Sequence, residues 1–274
     1  MTPTPADTWL GQHAYLQPLA DLHEAIDAAA AGASIPASPV PQWEEYRADY
    51  LEGVPVLRSP AVAIDWTPAA DAFATVVERM AGMALPPPTT SRLRVLRDEL
   101  HTDPEAAYRA VNGLSHPGTF LTDEPGLWQL IGWEIVARMF RDLVPAFGQW
   151  RDEERWLRPY CPTCGAAPAM AQLVGSDPGR LRLLSCGCCR TRWRFRRTGC
   201  PFCRNEDDHR LSGFAVEGDD RLRIDYCEAC GGYLKTYVGE GGEALLLADW
   251  TSLHLDVAAR DRDLNRLAGS LYQI

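Results

Sequence analysis

Four C-x-x-C pairs, all between residues 161 and 230, constrain this chain more than anything else in it. They are Cys161/Cys164, Cys186/Cys189, Cys200/Cys203 and Cys227/Cys230, and Cys188 is the one cysteine left over. A C-x-x-C turn aims two sulfurs at one point, and a tetrahedral ion needs two such pairs. Between Cys164 and Cys186 lie 21 residues, between Cys203 and Cys227 lie 23, and between Cys189 and Cys200 only 10. The long gaps admit a β-hairpin and the short one a single linking strand. Neighbouring pairs are therefore predicted to combine. Cys161, Cys164, Cys186 and Cys189 form one tetracysteine site, and Cys200, Cys203, Cys227 and Cys230 a second. Each holds one ion, zinc or iron, because ligand type alone does not choose between them. Disulfides suit small secreted chains, and a thioredoxin-like site needs one C-x-x-C beside a βαβ pattern. Cys188 reads as a spare thiol able to exchange with Cys186 or Cys189.

The surrounding residues read as strands. Arg180–Leu184 approaches the second pair. Arg192-Trp193-Arg194-Phe195-Arg196 alternates, which puts Trp193 and Phe195 on one side and the arginines on the other. Leu211–Val216 and Arg221–Tyr226 flank a Gly218-Asp219 turn. Tyr233–Val238 and Ala244–Leu247 flank a glycine-rich turn. The prediction is two small hairpin modules in series.

Three runs carry a family resemblance: CPTCGAAPA, LRLLSCGCCRTRWRFRRTGCPFC and DYCEACGGYLKTY. With the order of the four pairs, Trp193, Phe195 and Arg197 in W-x-F-x-R, Gly232–Lys235 after the last cysteine, and Asp249–Leu253 opening a final helix, they resemble the formate dehydrogenase accessory protein (FdhE) family. The resemblance covers about 160–260; the earlier half is similar only in being helical, and Cys188 departs from the pattern. It implies a cytoplasmic assembly factor, not itself an enzyme, that binds the catalytic subunit of formate dehydrogenase and is needed for its activity. Metal sites would shape a docking surface or serve a redox step. It also makes Arg192, Arg194, Tyr233 and Lys235 candidates for partner contact.

At 274 residues, with 46% hydrophobic and 23% charged content, the chain is of ordinary globular composition and long enough for two domains. Its net charge of −10, before two tetrathiolate sites add about −4, argues against general nucleic-acid binding. Lys235 is the only lysine, a bias that reads as base composition. No leader or membrane span is legible, so a cytoplasmic protein without membrane insertion is expected, where thiols stay reduced. Predicted helices cover Leu10–Ala31, Gln42–Leu51, Thr67 to about Met83, Ser91–His101, Asp103–Val111 and Asp123–Phe147. Gly53–Trp66 is expected as an extended connector.

Catalytic signatures are missing: there is no G-x-S-x-G, P-loop or G-x-G-x-x-G, and His23-Glu24 lacks the second histidine of H-E-x-x-H. Asp123-Glu124 is read as complementing a helix dipole. His209 is superfluous beside eight thiols, and His116 and His254 are read as surface or satisfied core residues. The arginines at 190, 192, 194, 196 and 197 either meet an acidic partner or nucleic acid, or offset the thiolates and the acidic stretches 206–208 and 217–220. The expected architecture is α+β. An all-α N-terminal domain (1–158) precedes two tandem rubredoxin-like or zinc-ribbon modules (about 159–198 and 199–248) and a C-terminal helix. A zinc-ribbon nucleic-acid module and a rubredoxin-type electron carrier are the alternatives.

Overall fold

The computed structural model describes residues 4–272 apart from 104, 114–124, 177–178 and 217. The predicted Asp123 start of the last N-terminal helix and His116 lie outside the described residues. Proline chemistry explains where the helices depart from their predicted ends. The 10–31 pattern is two helices, α1 (Pro5–Gln12) and α2 (Gln17–Ala31), because Pro18 has no N–H to continue one ladder and instead sits in the first turn of the next. A predicted helix to Phe147 divides likewise, with Pro145 in the first turn of its second part. Between α3 (Trp43–Glu52) and those parts come α4 (Thr67–Ala81), α5 (Pro87–Thr102) and α6 (Glu105–Gly113); the parts themselves are α7 (Pro125–Met139) and α8 (Leu143–Trp150). Pro87 and Pro88 fill the first turn of α5. α4 starts at Thr67 itself, whose N–H donates to Asp65 Oδ1 at 2.9 Å.

Two compact units result, residues 1–40 with 64–145, and residues 41–63 with 146–274. Residues 41–63 and 146–158, which precede the sequence boundary at 158, thus cluster with the cysteines. In the first unit α4 packs against α2, α5, α6 and α7. Phe73, Val76, Val77 and Met80 of α4 are fully buried, and Phe73 stacks on Trp128 at 4.8 Å.

The second unit is built on one sheet. Its strands are β1 (Met170–Val174), β2 (Leu181–Ser185), β3 (Arg192–Phe195), β4 (Leu211–Ala215), β5 (Leu222–Cys227), β6 (Gly232–Val238) and β7 (Asn265–Arg266). The order is β3-β2-β1-β6-β5-β4, with β7 on β6. Both expected modules are present, β1–β3 and β4–β6, and they share one sheet. β1 and β6 pair in parallel, Ala171 opposite Thr236 and Leu173 opposite Val238, and fuse the hairpins. Both strands are buried on both faces, as parallel strands commonly are. Buried Gln172 is satisfied there, donating to Gly239 O (2.8 Å) and Glu243 Oε1 (2.9 Å) and accepting from Arg192 Nη1 (2.7 Å). Ala244–Leu247 is not a strand. Glu243, Ala244 and the leucines after them are strong helix formers and give α10 (Glu243–Leu246), following the short α9 (Glu153–Trp156). A 3-10 turn at Asp249–Ser252 then leads into the expected closing helix, α11 (Leu253–Arg260).

Residues 41–63 position the first cysteine loop. Val56 N and Leu57 N donate to Pro162 O and Thr163 O at 2.9 Å, and Tyr160 OH donates to Gly53 O at 2.8 Å. An aromatic cluster of Trp43, Tyr46, Tyr50, Phe147, Trp150 and Trp156 holds α3 in place. The connector expected only to be extended is thus a scaffold for metal ligands.

Candidate metal centres

Each C-x-x-C forms a tight knuckle whose next residue is left-handed: Gly165 (φ +79°), Arg190 (+60°), Arg204 (+62°) and Gly231 (+67°). Glycine takes that conformation freely, whereas arginine costs about 1–2 kcal/mol. The same turn recurs in both halves. Cys161 N donates to Ala166 O (2.8 Å) and Cys200 N to Asn205 O (2.9 Å), while Gly165 N donates to Cys161 O (2.8 Å) and Arg204 N to Cys200 O (3.1 Å).

These knuckles gather the eight sulfurs into the two predicted sets, each with its sulfurs within 4.8 Å of one another. In the first set Cys161–Cys189 and Cys164–Cys186 stand at 3.4 Å and Cys164–Cys189 at 3.6 Å. In the second, Cys200–Cys230 and Cys203–Cys227 stand at 3.8 Å. Metal–sulfur bonds of about 2.3 Å in a tetrahedron place sulfurs about 3.8 Å apart, so both sets fit one divalent or ferric ion, zinc or iron. Supporting groups are in place around the sulfurs. Thr191 Oγ1 lies 3.2 Å from Cys189 Sγ and 2.8 Å from Thr163 Oγ1. Phe202 N donates to Cys200 Sγ and Gly232 N to Cys230 Sγ, both at 3.4 Å. Cys188 is buried but joins neither set.

The two sites differ in access. All four cysteines of the first are buried, whereas Cys203 is exposed and Cys230 half-buried. Hydrogen bonds from Cys161 and its other neighbours, then burial, push the Cys164 thiol well up. Slight burial raises Cys203, but the Asn205 N–H and neighbouring thiols outweigh it and hold that thiol below the ordinary range. Because the second site is open at Cys203 and the first is closed, chelator competition at pH 7 should be biphasic: a fast phase empties the second site and a slow one the first. Cys203→Ser should abolish the fast phase. Release of both ions at one rate would contradict this ordering.

Of the proposed contact residues, β3 carries Arg192, which is exposed, and Arg194, which is half-buried and pairs with Glu154. Trp193 and Phe195 are buried on the opposite side, as the alternation predicts. The outer edge of β3 is covered, since Arg192 O accepts from Arg151 Nη2 and Arg194 N donates to Glu153 Oε2 at 3.0 Å. Tyr233 and Lys235 do not share that surface. Lys235 is 0% and Tyr233 3% exposed. Lys235 Nζ donates to Asp249 O and Asp256 Oδ2 at 2.7 Å and to Ser252 O at 3.3 Å, and lies 2.7 Å from Asp249 Oδ1. Arg266 bridges the same two carboxylates, and Tyr233 OH donates to Asp256 Oδ1 at 2.7 Å. Reading by exposure of residue type missed this buried network; the solitary lysine among many arginines was its one signal. His209 joins neither sulfur set, standing on an exposed turn with Asp207 and Asp208. His254 is satisfied by Asp219 at 2.8 Å. Among the described residues no helix is long and apolar enough to cross a membrane.

A helical region followed by one sheet bearing two tetracysteine clusters defines a mixed α+β protein with paired tetrathiolate sites. No family model matches the chain. It is 32% identical over 114 residues to "Protein FdhE homolog" of Aquifex aeolicus (strain VF5), covering 40% of each chain. Over 184 residues it is 24% identical to "Protein FdhE homolog" of Shewanella baltica (strain OS185), covering 66% of this chain and 60% of the relative. The chain thus spans about half the length of the curated relatives it matches. Its fold is similar to the crystal structure of the FdhE protein from Pseudomonas aeruginosa, with a TM-score of 0.58 at 23% identity over 96% of this chain and 88% of that one. The resemblance to the FdhE family read in the sequence is supported by both kinds of comparison.

Proposed function

We propose that this chain is a cytoplasmic, non-catalytic accessory factor that binds the catalytic subunit of formate dehydrogenase and is needed for its activity. The observation that carries the reading is the pairing of two tetracysteine clusters in one sheet with a likeness to FdhE proteins in sequence and fold. The cysteines at 161, 164, 186 and 189 hold one ion and those at 200, 203, 227 and 230 another. The ions fix the knuckles and so shape the surface offered to the client. The arginine side of β3, with Arg192 and Arg194, is the proposed contact; Tyr233 and Lys235, buried, instead hold the C-terminal segment to β6. Deleting the gene should abolish formate oxidation while the dehydrogenase polypeptide persists, and the wild-type chain should cross-link to the catalytic subunit. Normal formate oxidation in the deletion strain would refute the proposal. Exposure of Cys203 favours a second reading, electron exchange through an iron at the second site. A red ferric spectrum from protein purified without air supports it, and a colourless zinc protein rules it out.

A further inference from the structure

On one face of the sheet, in the cysteine-bearing unit, lies a cavity of about 260 Å³. Strand register assembles it: Arg182 stands opposite Leu173, Leu234 opposite Asp225, and Asp225 opposite Gly213. The Pro201-Phe202 knuckle of the second metal site completes the lining. Gly213 keeps the space open, because a Cβ there would meet Arg223 Nη2 and Asp225 Oδ1.

Arg182 is the unexplained group. It is 7% exposed. Among the described residues it makes one hydrogen bond, from Nη1 to Gly199 O at 2.9 Å, its Nε has no partner, and no carboxylate stands within ion-pair distance. A guanidinium has five N–H donors and stays charged even when buried, so burying it without a paired anion is costly. Arg223 has its own counter-ion, Asp225 at 2.6 Å, and Asp225 also accepts from Thr236 Oγ1 at 2.7 Å. Burial holds Arg182 below the usual arginine range. Asp225 and Cys200 oppose that through space without cancelling it, and Arg223 adds to it. The second metal site lends negative charge, but its sulfurs do not hydrogen-bond Arg182.

We propose that this cavity binds a small monocarboxylate with an apolar body, its carboxylate on Arg182 and its body against Leu173, Leu234 and Phe202. Leu173, Leu234 and Phe202 give the cavity an apolar side that suits such a ligand better than inorganic phosphate, and Arg197 and Arg223 on its lining are matched by Asp208 and Asp225, which leaves the charge of Arg182 for one carboxylate. The ligand is either a free acid or the C-terminal residue of a polypeptide. The proposal goes beyond the accessory-factor reading and does not depend on it.

The test uses the full, metal-loaded chain, titrated calorimetrically with benzoate, benzamide, and a tripeptide ending in phenylalanine with its C-terminus free or amidated. Saturable binding of benzoate or of the free-ended peptide is expected, at least about tenfold tighter than its own amide. The tighter of the two identifies the source. Arg182→Met should weaken that binding by about tenfold or more at unchanged metal content. If the variant does not fold, the acid-against-amide comparison on the wild type decides alone. Equal affinity for acid and amide, no saturation on the order of millimolar concentrations, or undiminished binding by a folded Arg182→Met protein would overturn the proposal.

Discussion

Cys161→Ser is expected to release the ion of the first site and unfold the sheet around it, while leaving the helical unit folded. A structural tetrathiolate zinc site contributes an apparent ~10–16 kcal/mol at neutral pH, and a domain holds only ~5–15 kcal/mol of net stability. Among the described residues no other interaction in the second unit is of that size. Cys161 is 0% exposed, so the serine hydroxyl would be a weak ligand with no water to relieve it. The damage should pass beyond one hairpin, because β1 runs from the first site into the parallel pairing with β6 and β6 leaves the last ligand pair. Cys203→Ser, at an exposed ligand, should do less. Metal analysis and thermal melts of both variants check this ordering. A Cys161→Ser protein that keeps two ions and the wild-type melting temperature would refute the assignment of the first site.

The metal ligands were legible because the chemistry is local: four C-x-x-C turns, each closed within a few residues, and gaps long enough for hairpins. β3 and the β4–β5 hairpin were legible for the same reason, their alternation matching a half-buried sheet. β1 was not. Met170–Val174 is buried on both faces and so shows no period of two, and its partner β6 lies some sixty residues further on. The role of residues 53–57 was equally hidden, since backbone hydrogen bonds to Pro162 and Thr163 leave no mark on side-chain identity. The proline positions were visible, but not whether each ends a helix or begins one. Arg182 read as one more arginine of a strand; only strand register and the loop at Gly199 reveal that it is buried without a counter-ion.

Lys235→Met should cost about 3–5 kcal/mol at pH 7, the penalty typical of removing one partner from a buried ion pair. Lys235→Arg should not restore the loss. The ammonium sits among Asp249 O, Ser252 O, Asp256 Oδ2 and Asp249 Oδ1. That arrangement suits a compact tripod of donors, not a planar fork, which explains a solitary lysine in a chain otherwise furnished with arginine. The network ties β6 to the 3-10 turn, α11 and β7, so its loss frees the whole C-terminal segment from the sheet. The pH dependence has a definite sign. Burial alone would raise the Asp249 carboxyl, but the charges of Lys235 and Arg266, with hydrogen bonds from Lys235 and Ser270, outweigh it and hold it below its ordinary value. A depressed carboxyl stabilises the fold above its unfolded pKa of about 3.9 and loses that contribution as pH falls through the folded value. The gap between wild type and Lys235→Met should therefore be full at pH 7 and narrow in acid as the carboxylates protonate in both proteins. Denaturant melts of the two proteins at pH 7 and at successively lower pH measure it. A loss under about 1 kcal/mol at pH 7, the range of an exposed pair, or a gap that widens in acid, would show that the lysine does not hold the C-terminal segment to the sheet.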